Sequence, residues 1–207
     1  MPSTPEQEAR FARVVAAAVE MLSAGGGEGL AMKDLARRAG VSVATLYRYF
    51  PSRDYVLLSV AVARYRDAAR RVLAETPQGG SARERVSAHL LREFGAVRRE
   101  ERLSGALVQA LAETRRGYSP LIETVEHLHR QIVEHVAGGG GPVSEQRCRV
   151  LPVVIDIFSA ATRLWLAGVL SVADAEFQIR AGCELLEVPD EVVAAEVERA
   201  APGGRIG

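Results

Sequence analysis

What constrains this chain most is the spacing of its apolar residues, which recur every third or fourth position and nowhere alternate long enough to make a strand. Phe11, Val14, Val15, Ala18, Met21 and Leu22 line one face of a first helix. Breaks rich in glycine and proline, "SAGGGEG" at 23–29, "TPQGGS" at 76–81 and "GGGGP" at 138–142, separate it from the segments that follow. The pattern predicts an all-α fold of about nine or ten helices. Beyond the fourth helix, further ones are expected at roughly 82–99, 101–115 and 119–137. A long helix from about Ser144 to Leu170 follows, then a successor at about 172–187 and a last amphipathic piece after Pro189. At 48% apolar and 25% charged residues, the composition is that of an ordinary globular protein.

The first break leads into "MKDLARRAGVSVATLYRYFPSRDYVL" at Met32 to Leu57. Met32 to Arg38 reads as a two-turn helix stopped by Gly40, and the Ser42 hydroxyl can cap a third helix that ends near Tyr49, before Pro51. Ser52 can cap a fourth, with Asp54 near its positive end and Leu58, Val62, Tyr65, Ala69, Val72 and Leu73 in line. Two short helices joined through a glycine match a helix-turn-helix, with Ala36 and Gly40 where the axes must cross closely. Val41 and Leu46 supply the buried contacts. Ser42, Val43, Ala44, Thr45, Tyr47, Arg48 and Tyr49 remain as the pool for an outward face. Small residues at the start of such a helix can approach base edges, while larger polar groups reach phosphates.

Charge agrees only locally. With 26 basic and 26 acidic residues the chain is neutral, which speaks against a uniformly basic nucleic-acid binder. From Leu30 to Arg53, however, Lys33, Arg37, Arg38, Arg48 and Arg53 face Asp34 alone, five minus one, a local +4.

"GVSVATLYRYFPSRDYVL" resembles the TetR family of bacterial transcriptional regulators, with its pattern "GVSxxTLYxYFxSKxxL". The resemblance is specific over about residues 8–60 and weakens to a general helical likeness beyond. It implies that Lys33, Ser42, Val43 and Ala44 approach bases, and that Thr45, Tyr47 and Tyr49 contact phosphates, with Arg48 on the same outward face. Arg53 takes the place of the family's usual lysine. One departure stands out: the family usually has Thr or Ser just before its second helix, and this chain has Leu30-Ala31-Met32.

The resemblance also implies an architecture. A helix-turn-helix head at 1–53 joins, through a connecting helix at about 53–75, a ligand-binding and dimerisation domain at 54–207. Function would be repression at a palindromic double-stranded DNA operator, bound by a homodimer and released by a small apolar or acyl-CoA-type effector. The helices at about 144–170 and 172–187 carry Val153, Val154, Ile157, Phe158, Leu164 and Trp165, apolar on more than one side, and are expected to form a four-helix bundle with a second copy. The regulatory helices supply more apolar surface than one interface needs, so an effector cavity is expected, lined from Leu107, Leu111, Tyr118, Ile122, Val125, His129, Phe158, Thr162 and Trp165.

Other chemistries have weaker support. His127, His129 and His135 invite a metal reading, but His127 and His129 point to different sides of a helix, and no metal or cofactor is expected. No serine or cysteine sits in a nucleophile motif, so no catalytic residue is expected either. The rival classes are an all-helical enzyme and an adaptor whose basic head binds protein or membrane rather than DNA. Cys148 and Cys183 form no CxxC pair, and neither a signal peptide nor a membrane-spanning run is visible, so the protein is expected in the cytoplasm and away from membranes.

Overall fold

The structure, a computed structural model, describes residues 4–114 and 119–200. Among them stand ten α-helices, one 3-10 turn and no strand. Helix α1 spans Pro5–Gly25, α2 Met32–Arg38, α3 Val43–Tyr49, α4 Arg53–Leu73, α5 Ala82–Arg99, α6 Glu101–Thr114 and α7 Pro120–Gly138. Helix α8 spans Glu145–Leu166 and α9 Val172–Cys183; the 3-10 turn covers Glu184–Glu187 and α10 spans Asp190–Ala200.

Local chemistry accounts for most of these boundaries. The Thr4, Ser42, Ser52, Ser144 and Ser171 hydroxyls each accept a backbone N–H of the first turn that follows. At Ser171 the bond is reciprocated, since Asp174 accepts the Ser171 N–H in a capping box. Helix α2 instead follows Ala31, a cap position with no side-chain bond to offer, as the departure at Leu30-Ala31-Met32 foretold. Its other end is closed by Gly40 at φ +66°: the Gly40 N–H donates to the Arg37 carbonyl and the Val41 N–H to that of Ala36. Helix α8 stops at Leu166, short of the expected Leu170. There Gly168 takes φ +72°, and the Val169 N–H turns back to the Leu164 carbonyl, a closure that outweighs the apolar spacing running on through the turn.

The chain divides into two compact units, Met1–Ala68 with Ala96–Leu128, and Ala69–Gly95 with His129–Gly207. The first unit is built on α1 to α3, with Val14, Leu22, Leu35, Leu46, Phe50 and Val56 almost wholly buried. Phe50 stacks on Phe11 at 4.7 Å and meets Tyr55 edge-on at 6.2 Å. Helix α6 also enters this core through Leu103, Ala106, Leu107 and Ala110. Arg102 donates to the Ala24 carbonyl at 2.5 Å, satisfying an acceptor left open at the end of α1.

In the second unit, α8 packs along α9, and Phe94, Leu151, Phe158 and Ile179 lie in one buried cluster. Arg85 ties the end of α7 down by donating to the Val136 and Ala137 carbonyls at 2.9 and 2.5 Å. Cys183 is fully buried there, and burial pushes its thiol up to about 11. A Cys148→Ser variant should therefore show no thiol reactive toward a disulfide reagent at pH 8 until it is denatured. A fast-reacting thiol in the native variant would mean that Cys183 is accessible.

Candidate nucleic-acid interface

Helix α3 has one inward anchor and a wide outward face. Leu46 is fully buried, and the chain leaves the helix through Phe50, whose ring is equally enclosed, so the rotation of α3 about its axis is set by two fixed side chains. A buried aromatic and a leucine contribute about 1.5–3 kcal/mol each to holding that orientation. Outward lie Ser42, Val43, Ala44, Tyr47 and Arg48, with Val43 39% and Tyr47 47% exposed. An exposed tyrosine presents its hydroxyl at the end of a rigid arm.

The remaining positions divide. Thr45 is half-buried; its N–H donates to Ser42 Oγ at 3.1 Å, and the Ser42 hydroxyl donates to Thr45 Oγ1 at 2.9 Å. Those two hydroxyls thus stabilise the helix start as well as facing outward. Tyr49 is half-buried against the head core, with the Arg48 guanidinium 5.2 Å from its ring centroid. Lys33 is exposed in the first turn of α2 and makes no ion pair among the described residues. Arg37 pairs with Asp34 at 2.8 Å and Arg38 with Glu20 at 3.2 Å. Arg53 donates to the Gly27 carbonyl at 2.5 Å, so its guanidinium also pins the α1–α2 loop to the start of α4. The sequence reading gave Arg53 only a place among the DNA-contacting residues, where the family usually has a lysine. The extra bond depends on a carbonyl 26 positions away, which no local pattern reveals.

The residues expected to line an effector cavity fall in both units. In the first, Leu107 belongs to the head core, while Ile122 and Val125 form a small buried cluster with Leu58, Ala61 and Val62, against which Leu111 packs. Tyr118 lies outside the described residues. In the second, His129, Phe158 and Thr162 are buried and Trp165 is half-buried. The His129 ring meets Phe158 edge-on at 5.8 Å, and Trp165 meets Phe94 at 5.3 Å.

Sequence reasoning missed two residues of this second group. Glu93 Oε2 stands 3.4 Å from His129 Nε2 and 3.7 Å from His89 Nε2. Burial pushes the His89 imidazole below its ordinary range, whereas Glu93 lifts that of His129 against the opposing effect of its own burial. A signal was present: His89 and Glu93 are four apart on the same stripe as Val86, Leu90 and Phe94, polar residues on an apolar face. His127, by contrast, is exposed, and His135 Nε2 donates to the Glu75 carbonyl at 2.8 Å. Among the described residues no three His, Cys, Asp or Glu side chains are grouped to hold a metal ion, and no helix is long and apolar enough to cross a membrane.

Comparison with known proteins bears on the family and the fold. A family model described as bacterial regulatory proteins, tetR family, matches residues 14–60. A solved TetR transcriptional regulator from Rhodococcus sp. RHA1 is 30% identical, with a TM-score of 0.76 over 89% of this chain and 98% of that one. The HTH-type transcriptional repressor KstR of Rhodococcus jostii (strain RHA1) is 27% identical over 184 residues, 89% of this chain and 85% of that protein. FadR from Bacillus subtilis, solved in complex with stearoyl-CoA, shares the fold at 16% identity, with a TM-score of 0.59 over 85% of this chain and 97% of that one.

Proposed function

We propose, since the chain belongs to the TetR family of bacterial regulatory proteins, that this helix-turn-helix repressor grips a near-palindromic operator as a homodimer and is released by a small apolar effector. The observation that carries the DNA half is the outward face of α3. Ser42, Val43, Ala44, Tyr47 and Arg48 are exposed on a helix whose rotation is held by Leu46 and Phe50. Val43 and Ala44 are small enough for the helix start to approach base edges, with Lys33 beside them and Tyr47, Thr45 and Tyr49 toward phosphates. Arg48 and Arg53 add positive charge at the groove edge.

Seven residues of helix cover only about 10 Å, too little groove for useful specificity. Two copies reading half-sites about one turn of DNA, roughly 34 Å, apart would supply it. The surfaces of α8 and α9 support such a pairing. Val153, Ile157, Ala160 and Leu164 follow one another at helical spacing with Val153 49% exposed, and Phe177 on α9 is 69% exposed between Ala173 and Ala181.

The effector half rests on the second unit, where the buried His129 ring meets Phe158, Trp165 meets Phe94, and Thr162 is buried on the helix that carries Phe158 and Trp165. A fold shared with a protein that holds stearoyl-CoA is compatible with an apolar or acyl-CoA-type effector. The effector would favour a spacing of the two heads that no longer fits the groove, with coupling equal to its difference in affinity for the two states. No catalytic step is assigned to the protein, and its site of action is the cytoplasm, where the operator is.

The test is Tyr47→Phe against a site selected in vitro from random DNA. Loss of one hydroxyl bonded to a phosphate should weaken binding by about 1.5–3 kcal/mol, or roughly 10- to 150-fold, with melting unchanged because the ring is exposed. Equal affinity for parent and variant would remove Tyr47 from the interface. Absence of any selected site would favour an adaptor in place of a repressor.

A further inference from the structure

Two buried polar atoms of the second unit stand out because the fold does not use them. Thr162 on α8 is 3% exposed, and its Oγ1 has no hydrogen-bond partner among the described residues. A threonine inside a helix commonly donates back to the carbonyl one turn earlier, and this one does not. His89 on α5 is 9% exposed, and its Nε2 is likewise without a hydrogen bond, 3.7 Å from Glu93 Oε2. Such atoms destabilise a fold, so a helix face that carries them in place of valine and leucine has a use for them.

Their surroundings narrow the use. Phe158 and Trp165 lie four before and three after Thr162 on α8, and His129 of α7 rests edge-on against Phe158. Through that ring contact and the approach of Glu93 to both His89 and His129, α5, α7 and α8 of one unit place polar side chains beside aromatic ones, a composition suited to a small-molecule site. Charge narrows it further. The Glu93 carboxylate is compensated by His129, 3.4 Å away, and the His89 ring is held toward its neutral form by burial. Arg92, which also acts on His89, has its side chain in solvent. Among the described residues no lysine or arginine is buried to neutralise a ligand carboxylate, and the Glu93–His129 pair offers it no net positive charge. An uncharged oxygen meets neither objection: the Thr162 hydroxyl can donate to it or accept from it, and so can His89 Nε2, according to tautomer.

We propose that Thr162 and His89 form a hydrogen-bonding anchor for one uncharged oxygen, a ketone or a hydroxyl, carried on the buried part of an otherwise apolar effector. The proposal rests on the reading that an effector enters the second unit, and it adds the chemistry by which that effector is recognised. It also gives Glu93 and His129 a role, as a compensated pair that leaves no net positive charge there to hold an anion.

The experiment uses the full-length protein and four ten-carbon probes, 2-decanone, 1-decanol, decanoate and decane. Binding is followed by the emission of Trp165, the one tryptophan of the chain. The ketone and the alcohol should bind about tenfold or more tightly than decane and decanoate, the discrimination that one or two buried hydrogen bonds provide. A Thr162→Val variant, nearly equal in volume, should lose that preference and bind ketone, alcohol and alkane alike. Without probe it should melt at or above the parent temperature, because an unpaired buried hydroxyl has gone. A preference unchanged in the variant, tighter binding of decanoate than of decanone, or no response of Trp165 to any probe would each overturn the anchor. So would a lower melting temperature, which would mean that the hydroxyl serves the fold. Operator affinity, measured alongside, separates the two readings. Release of DNA by decanone from parent and variant alike would keep effector control and reject the anchor. Thr162-dependent binding with no change in DNA affinity would keep the anchor and reject effector control by this site.

Discussion

Replacing Ala44 with aspartate should reduce operator affinity at least about 100-fold while leaving the melting temperature at or above that of the parent. Ala44 is the second residue of α3 and is exposed, so the new side chain meets no packed neighbour. A carboxylate in the first turn of a helix lies at the positive end of the backbone dipole, which favours the isolated head by a few tenths to 1 kcal/mol. In the proposed groove the same charge would sit at base edges between two rows of phosphates, and like-charge juxtaposition at an interface costs several kcal/mol, more than two decades in affinity. The opposite signs make the variant informative. A joint fall in melting and in affinity would indicate damage to the head, and unchanged affinity would show that the start of α3 does not enter the groove. Competition binding against the selected operator, with thermal melting of the same preparation, provides both readings.

The helices were legible because their signals are local. Serine caps, the glycine at 40 and the proline at 51 act within one turn of the boundary they set, and the structure ends α2 at Arg38 and α3 at Tyr49, where those residues place the stops. Where two local signals competed, periodicity was the weaker guide. Apolar spacing runs through Val169 and Leu170, yet Gly168 closes α8 at Leu166, and α9 tightens into a 3-10 turn at Glu184 instead of continuing to Glu187. The outward face of α3 could be read as well, since a seven-residue helix with a single buried leucine leaves little choice of orientation. What could not be read depends on residues far apart in the chain. Arg53 meets a carbonyl at 27, Arg102 one at 24, and α6 contributes to a core otherwise made by the head and the first turns of α4. The pairing of Glu93 with both His89 and His129 has the same origin: only the His89–Glu93 half lies on one helix, and its partner comes from α7.

Replacing Phe177 with aspartate should convert a dimer into a particle of 22.3 kDa by light scattering at low micromolar concentration, and specific operator binding should fall on the order of 10³-fold or more. Phe177 is 69% exposed although its helix buries Ala175, Ile179 and Cys183 on the other side, so the substitution disturbs no internal packing. Within a dimer the same ring would cover apolar surface of the second copy, and an aspartate there would be buried without a partner, at a cost of several kcal/mol for each copy. The DNA effect exceeds that of any single contact because a lone α3 reads one half-site, and the affinity of a symmetric pair comes from both being engaged at once. Melting should become independent of protein concentration, whereas a parent that unfolds from a dimer melts at a temperature that rises with concentration. If the parent itself scatters as 22.3 kDa, then α8 and α9 do not pair in solution. If Phe177→Asp remains dimeric, the seam must run instead along Val153, Ile157 and Leu164, and an aspartate at Val153, itself 49% exposed, becomes the decisive substitution.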